Sequence, residues 1–263
     1  MFDELSLIVR RAGAIVLSAD MSTADLEVKS SPGDFVTKYD RAVQDMLFDE
    51  LQKLLPEAGF IGEESGAGNP KTQGYCFIVD PIDGTANFAW DYRHSAISVG
   101  LARENQMVMG LVYNPYLDEM FHAEAGQGAF LNGKPIHASQ RGLKNGLVSF
   151  GSSPYDKTQA DFTFSLAKFM YQYALDVRRS GSAALDICYI ASGRCELFYE
   201  MSLAPWDFAA ASLIVSEAGG IISTMQGESL PLNDQTSVLA GGSQAYHDFR
   251  QLSKTLAAEG III

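Results

Sequence analysis

The apolar run Tyr-Cys-Phe-Ile-Val at 75–79 breaks directly onto Asp80-Pro-Ile-Asp-Gly-Thr85. A short run of that composition predicts a buried strand, and the two acids then stand at its exit, where ligands collect in α/β folds. Carboxylates crowded at one point repel each other. A hard cation such as Mg²⁺, which takes oxygen ligands, relieves that repulsion. The first expectation is therefore a metal site at Asp80 and Asp83.

A chain of 263 residues with 47% hydrophobic content suffices for one large domain or for two halves sharing a core. No repeat, low-complexity tract or linker divides it. The expectation is one structure over 1–263, whose approximate halves, 1–142 and 143–263, share a single cleft. With 19 basic and 32 acidic residues the formal charge is -13, which repels nucleic acid and anionic membrane over most of the surface. A local cluster of cations can still invert the field in one cleft, so phosphate esters are not excluded. Cys76, Cys188 and Cys195 lack metal-type spacing, and an odd number argues against a disulfide framework; they are expected as reduced, buried thiols. Charges at Asp3, Glu4, Arg10 and Arg11 interrupt any secretory apolar segment, and no uncharged apolar run has the length of a membrane span. The expected location is the cytoplasm.

Leu5, Val9, Ala12 and Val16 predict an amphipathic helix ending near Ser18. Val43, Leu47, Leu51 and Leu54 predict a second, behind Asp40 as N-cap or first-turn acid and closed by Pro56. Between them, 28–37 is a polar loop around Pro32-Gly33, expected to be mobile. Residues 96–101 and 107–113 predict paired strands, and 119–123 and 128–131 predict two more before the turn Asn132-Gly133. From Leu147 strands alternate with helices: strands at 147–150, 175–177, 196–201 and 238–241, helices at 159–173, 182–191 and 207–217, and a last helix after 241. The class is mixed α+β and α/β.

Three acidic motifs fall at element boundaries: Gly62-Glu-Glu-Ser65, Asp80 to Thr85, and Trp206-Asp-Phe-Ala-Ala210. Brought together, Glu63, Asp80, Asp83 and Asp207 form an all-oxygen pocket for two or more Mg²⁺ ions, with the Ile82 carbonyl completing the shell. Paired cations can clamp phosphoryl oxygens and lower the pKa of an attacking water, chemistry suited to phosphomonoester hydrolysis. The Gly84-Thr85 turn offers backbone N–H groups to phosphate. An EF-hand starting at Asp80 fails, because Ile82, Gly84 and Asp91 stand where ligands are required. A P-loop over 66–72 fails at Pro70.

With these three motifs, the loop Val28-Lys-Ser-Ser-Pro and the segment Gly181-Ser-Ala183, the chain resembles the inositol monophosphatase family. The resemblance runs from Val28 to Gly220 and is expected to extend over the whole chain. It implies a layered αβαβα sandwich of the sugar-phosphatase type, usually a homodimer, that depends on two or three Mg²⁺ and is often inhibited by Li⁺. It further implies metal ligation by Glu63, Asp80, Asp83, Asp207 and the Ile82 carbonyl. Water would be activated beside Glu63 and Thr85, with Asp40 hydrogen-bonded to the threonine hydroxyl. Gly84 and Thr85 would hold the phosphate, Asp83 and Asp207 would border the substrate, and Gly181, Ser182, Ala183 and Glu200 would line a polyol pocket. Lys29 and Asp34 would sit on the mobile loop near a weaker third metal. Ala86 and Ser182 depart from the threonines common in the inositol type, and Ala86-Asn87-Phe88 points away from the sulfated-nucleotide relatives.

The implied reaction is hydrolysis of a small phosphomonoester, foremost myo-inositol 1-phosphate. Fructose 1,6-bisphosphate, histidinol phosphate, 2-glycerophosphate and nucleoside monophosphates are alternatives. A regulatory binding protein acting through a protein partner is the alternative of another class. Taken singly, Asp207 and Asp40 also read as helix caps, and Glu64 as turned away from the site into solvent or a helper position. The expectation for Trp90 and Tyr92 is packing, and for His94, His122, His137 and His247 surface or satisfied positions.

Overall fold

The computed structural model describes residues 1–20, 26–28, 35–64, 73–154 and 156–258. Lys29 and Asp34, with the stretch 29–34 of the predicted loop, lie outside the described residues, while the ends of that loop are not loop: Val28 and residues 35–36 pair as short antiparallel strands and Thr37 caps the second helix. The chain runs α1 (Phe2–Leu17), β1 (Glu27–Val28), β2 (Phe35–Val36), α2 (Lys38–Leu54), β3 (Gly59–Gly62), β4 (Tyr75–Asp83) and α3 (Thr85–Ala89). It continues through β5 (Ala96–Arg103), β6 (Gln106–Asn114), β7 (Glu119–Glu124), β8 (Ala129–Leu131) and β9 (Lys134–Ile136). The second half is β10 (Leu147–Phe150), α4 (Ala160–Tyr173), β11 (Asp176–Arg178), α5 (Ala183–Ala191), β12 (Leu197–Leu203), α6 (Pro205–Glu217), β13 (Ile221–Ser223), β14 (Thr236–Gly241) and α7 (Ser243–Ala258). Short strands that carry little apolar pattern, β9 and β13, were not legible in the sequence; both are peripheral in their sheets.

Strands β3 to β9 form a seven-stranded sheet in sequence order, parallel at β3–β4 and antiparallel elsewhere. The tight turns match their residues: Glu104-Asn105 and Asn132-Gly133 all have positive φ, as two-residue hairpins require. The second sheet, ordered β11-β10-β12-β14-β13, is parallel in its first three strands and antiparallel in the rest.

Strand alternation sorts the side chains into layers. In β4, Phe77 and Val79 pack with Leu5, Val9, Leu47 and Leu51 of α1 and α2. Ile78, between them, faces the other way and packs with α5 and α6. In β12, Phe198 joins that same inner layer, while Tyr199 packs outward with α4 and α7. The order is helix pair, sheet, helix pair, sheet, helix pair: the expected αβαβα sandwich.

The inner layer decides where the acids go. Continuing the alternation, Asp80 follows Ile78 onto the inner face of β4, and Glu200 follows Phe198 onto the inner face of β12. Helix α6 belongs to the second half of the chain but lies against the first sheet. Gly100 and Gly110, directly paired between β5 and β6, allow it to come close. A Cβ on Gly110 would lie 2.4 Å from the Ala210 carbonyl oxygen. That close approach sets the first turn of α6, and so Asp207, against the end of β4; the Ser98 hydroxyl donates to the Trp206 carbonyl at 3.3 Å.

Candidate functional site

Asp80, Asp83 and Asp207 each present a carboxylate oxygen within 4.8 Å of the others. Asp80 and Asp83 are buried. Burial, then the negative charges of Glu63, Asp83 and Asp207, push the Asp80 carboxyl well above the usual range. Asp207 is raised for the same reasons, although the Ala204 N–H, donating at 2.7 Å, counters the shift. Glu63 is only partly buried and stands outside the three-carboxylate group, but its carboxyl hydrogen-bonds that of Asp80. An oxygen-only donor set, buried and self-repelling, fits a hard divalent cation such as Mg²⁺.

Asp83 joins the two halves. The Ser182 hydroxyl donates to it, as do the backbone N–H groups of Ala184 at 2.9 Å and Ala183 at 3.3 Å at the start of α5. Burial raises its pKa to about 6, and these donors hold it from going higher. The segment 182–184 therefore serves the acid cluster as well as the pocket, a link between Asp83 and Ser182 that sequence reading did not reveal.

Asp40 is fully buried and is the first-turn acid of α2 rather than its N-cap: Thr37 is the cap, and Asp40 completes a capping box by accepting the Thr37 N–H at 2.7 Å. Its other oxygen accepts the Thr85 hydroxyl at 3.2 Å, which also lies 3.2 Å from the Ile82 carbonyl. Asp207 likewise is not the N-cap of α6 but accepts from the cap residue, Ala204. Gly84 caps α3 with φ +89°, in the left-handed region, where a Cβ would press on the Gly181 and His94 carbonyl oxygens.

One cavity collects the substrate residues expected from the sequence: Asp83, Gly84, Thr85, Gly181, Ser182, Ala183, Glu200 and Asp207 all line it. Glu200 is buried and accepts the Ser153 N–H at 2.9 Å; burial raises its pKa to about 7. Ala86, Gly151, Arg179, Asp186 and Leu203 are further lining residues. The pair Arg178-Arg179 beside Gly181 was the available signal for Arg179, and the four-residue spacing from Ser182, one helical turn, was that for Asp186.

Four single-residue expectations are corrected. Glu64 is buried, not solvated, and its main chain pairs with the Gln44 amide through two hydrogen bonds of 3.0 and 3.2 Å. Trp90 and Tyr92 are not packed into the core: they are 64% and 67% exposed, where α3 has ended at Ala89 and the chain turns through Asp91 and Arg93, both with positive φ. His94 is partly buried with Nε2 unpartnered among the described residues, so it is neither a surface nor a satisfied histidine. The three cysteines are free and buried as expected. Among the described residues no helix is long and apolar enough to cross a membrane.

The raised acids make metal-free stability depend on pH. Asp83, Glu200 and Asp186 move from 3.8, 4.5 and 3.8 to about 6, 7 and 8, so each binds its proton more tightly in the folded chain. Their contribution is fully present below the ordinary values and is lost as pH rises through the folded ones. The melting temperature of EDTA-treated protein is expected to fall between about pH 5 and about pH 8, and to fall less with excess Mg²⁺. A flat or rising profile in the stripped protein would contradict this electrostatic account.

The sequence profile described as the inositol monophosphatase family matches residues 4–257. The chain is 40% identical over 212 residues to an inositol-1-monophosphatase of Mesorhizobium japonicum, covering 80% of this chain and 79% of that one. It is 37% identical over 221 residues to Nus factor SuhB of Escherichia coli K12, covering 83% and 82%. The crystal structure of the extragenic suppressor protein suhB from Bartonella henselae superposes with a TM-score of 0.88 at 31% identity, over 95% of this chain and 96% of that one. A buried carboxylate cluster at the meeting of two sheets, a matching fold and a profile spanning nearly every residue agree: the chain belongs to the inositol monophosphatase family, whose members are Mg²⁺-dependent phosphatases.

Proposed function

We propose that the protein hydrolyses a small polyol phosphate, foremost myo-inositol 1-phosphate, to the polyol and free phosphate. The observation that carries this reading is the buried Glu200 carboxylate lining the same cavity as Asp83 and Asp207, a hydroxyl acceptor set beside a metal-type cluster. Glu63, Asp80, Asp83, Asp207 and the Ile82 carbonyl would hold two or three Mg²⁺. Those ions would neutralise charge on the phosphoryl oxygens and lower the pKa of the attacking water.

The chain's own groups do the positioning. Thr85 has one hydroxyl proton, directed at Asp40 and the Ile82 carbonyl, so its remaining lone pairs are left to accept from the attacking water. Glu63 takes up the water's proton. Gly84 and Thr85 hold the phosphate by their main chain, while Gly181, Ser182, Ala183 and Glu200 meet the polyol. Lys29 and Asp34 belong to the same reading as loop residues near a third metal. A homodimer in the cytoplasm, with Li⁺ inhibition, completes it.

The similarity to a protein named Nus factor favours a second reading, a regulatory subunit working through a protein partner. The assembled acid cluster supports catalysis in either case. A phosphate-release panel of polyol, sugar, nucleoside and histidinol monophosphates, with fructose 1,6-bisphosphate, tests the assignment. Polyol phosphates are expected to rank first by kcat/KM. A sugar bisphosphate or nucleotide ranking first would refute the polyol reading, and no release from any ester would favour the second.

A further inference from the structure

Asp186 has no part in the acid cluster, yet it is a carboxylate only 4% exposed in the first turn of an otherwise apolar helix. Leu185, Ile187, Cys188 and Ile190 around it are all completely buried. Its side chain lines the cavity shared with Glu200. Among the described residues the one hydrogen bond it accepts comes from the Ser180 hydroxyl, at 2.5 Å to Oδ2. Ser180 is held in turn from the opposite half: the Asn87 amide donates to the Ser180 carbonyl at 2.9 Å and to the His94 carbonyl at 2.7 Å.

Anchoring Ser180 needs a single acceptor, which an asparagine would supply without the cost of desolvating a charge. A carboxylate has about four acceptor sites, so most of the capacity of Asp186 is left for a ligand. Burial raises its pKa to about 8, against the bond from Ser180 and the charge of Arg179. Arg179, in the same cavity, is engaged with the Ser152 hydroxyl through Nε and Nη2 at 3.2 and 3.0 Å. The Thr85 and Ser182 hydroxyls in the same lining already donate to Asp40 and Asp83, so hydroxyls of a ligand are the donors the Asp186 carboxylate can still take.

We propose that Asp186 is a specificity-determining residue that, with Glu200, accepts hydrogen bonds from the hydroxyls of the polyol, in a position set by Ser180 and Asn87. The inference rests on the polyol-phosphatase reading and deepens it: the leaving alcohol must carry at least two free hydroxyls, one for each carboxylate.

Steady-state kinetics on myo-inositol 1-phosphate, with inorganic phosphate as competitive inhibitor, separates this from a structural role, because phosphate engages its cradle without touching the polyol pocket. Asp186→Ala is expected to raise KM roughly tenfold, the loss of about one hydrogen bond to the polyol, while the Ki of inorganic phosphate stays within about twofold. Asp186→Asn, nearly isosteric and still able to accept from Ser180, is expected to show the same split with a smaller rise and serves if the alanine variant does not fold. KM and Ki rising in parallel, or neither moving, would overturn the role of Asp186 while leaving the polyol reading intact. A wild-type enzyme that hydrolyses other esters but no polyol phosphate overturns both.

Discussion

Asp80→Asn is expected to lower phosphate release by roughly a thousandfold, because it would remove a charge proposed to hold the metal ions, an effect of several kcal/mol on the transition state. Asp80 is central to the cluster: it hydrogen-bonds Glu63 and feels the charges of Glu63, Asp83 and Asp207. The amide keeps the size of the side chain and can still accept the Ile82 N–H, now made to Oδ1 at 3.0 Å. The fold therefore survives. In metal-free protein the variant is expected to melt higher than the wild type, since a desolvated carboxylate surrounded by three others is removed. Mg²⁺ should raise the wild-type melting temperature and leave that of the variant nearly unchanged. Activity and metal-free stability thus move in opposite directions. Near-normal turnover, or a variant less stable than wild type without metal, would refute the place given to Asp80.

The second large effect is on the fold. Gly110→Ala is expected to destabilise the protein by about 3 kcal/mol, because overpacking against backbone has no cheap relaxation. The added Cβ would lie 2.4 Å from the Ala210 carbonyl oxygen and 3.0 Å from its carbon. Either α6 moves off the sheet or β6 bends. In an open strand the same change would be neutral or stabilising, since glycine weakens strands. A loss of that size lowers the melting temperature by about 6–12 °C in a chain of this length. Gly100→Ala is the control. Its nearest atom is the terminal methyl of Met107, which can rotate away, with the Ala210 nitrogen farther off at 3.3 Å, so a smaller loss is expected. Because α6 carries Asp207, a Gly110 variant that does fold should also lose Mg²⁺ affinity. Equal stability of the two variants would contradict the close approach of α6 to the sheet.

Much of the architecture was legible because it is written in local patterns. The period of α1 and α2, the run ending at Asp80 and the Asn132-Gly133 turn each depend on neighbours in sequence. The acid cluster was legible too, since Asp83 ends β4 and Asp207 stands in the first turn of α6, elements that converge in the inner layer, although β4 runs on through Asp80 rather than stopping before it. What escaped depends on partners far along the chain. The exposure of Trp90 and the burial of Glu64 follow from how α3 ends and from Gln44, facts no local pattern holds. Gly100 and Gly110 look like weak points in two strands until α6 is laid over them. Asp186 looks like an ordinary first-turn acid, and the bond it accepts from Ser180, itself held by Asn87 of the other half, belongs to no local pattern.

Phosphate release from myo-inositol 1-phosphate by EDTA-stripped protein, followed as Mg²⁺ is added back, tests the central claim most directly. The structure predicts release near background without metal and a saturable rise of roughly a thousandfold with it. The same rate in the stripped and the Mg²⁺-loaded protein, or no release at saturating Mg²⁺, would contradict it.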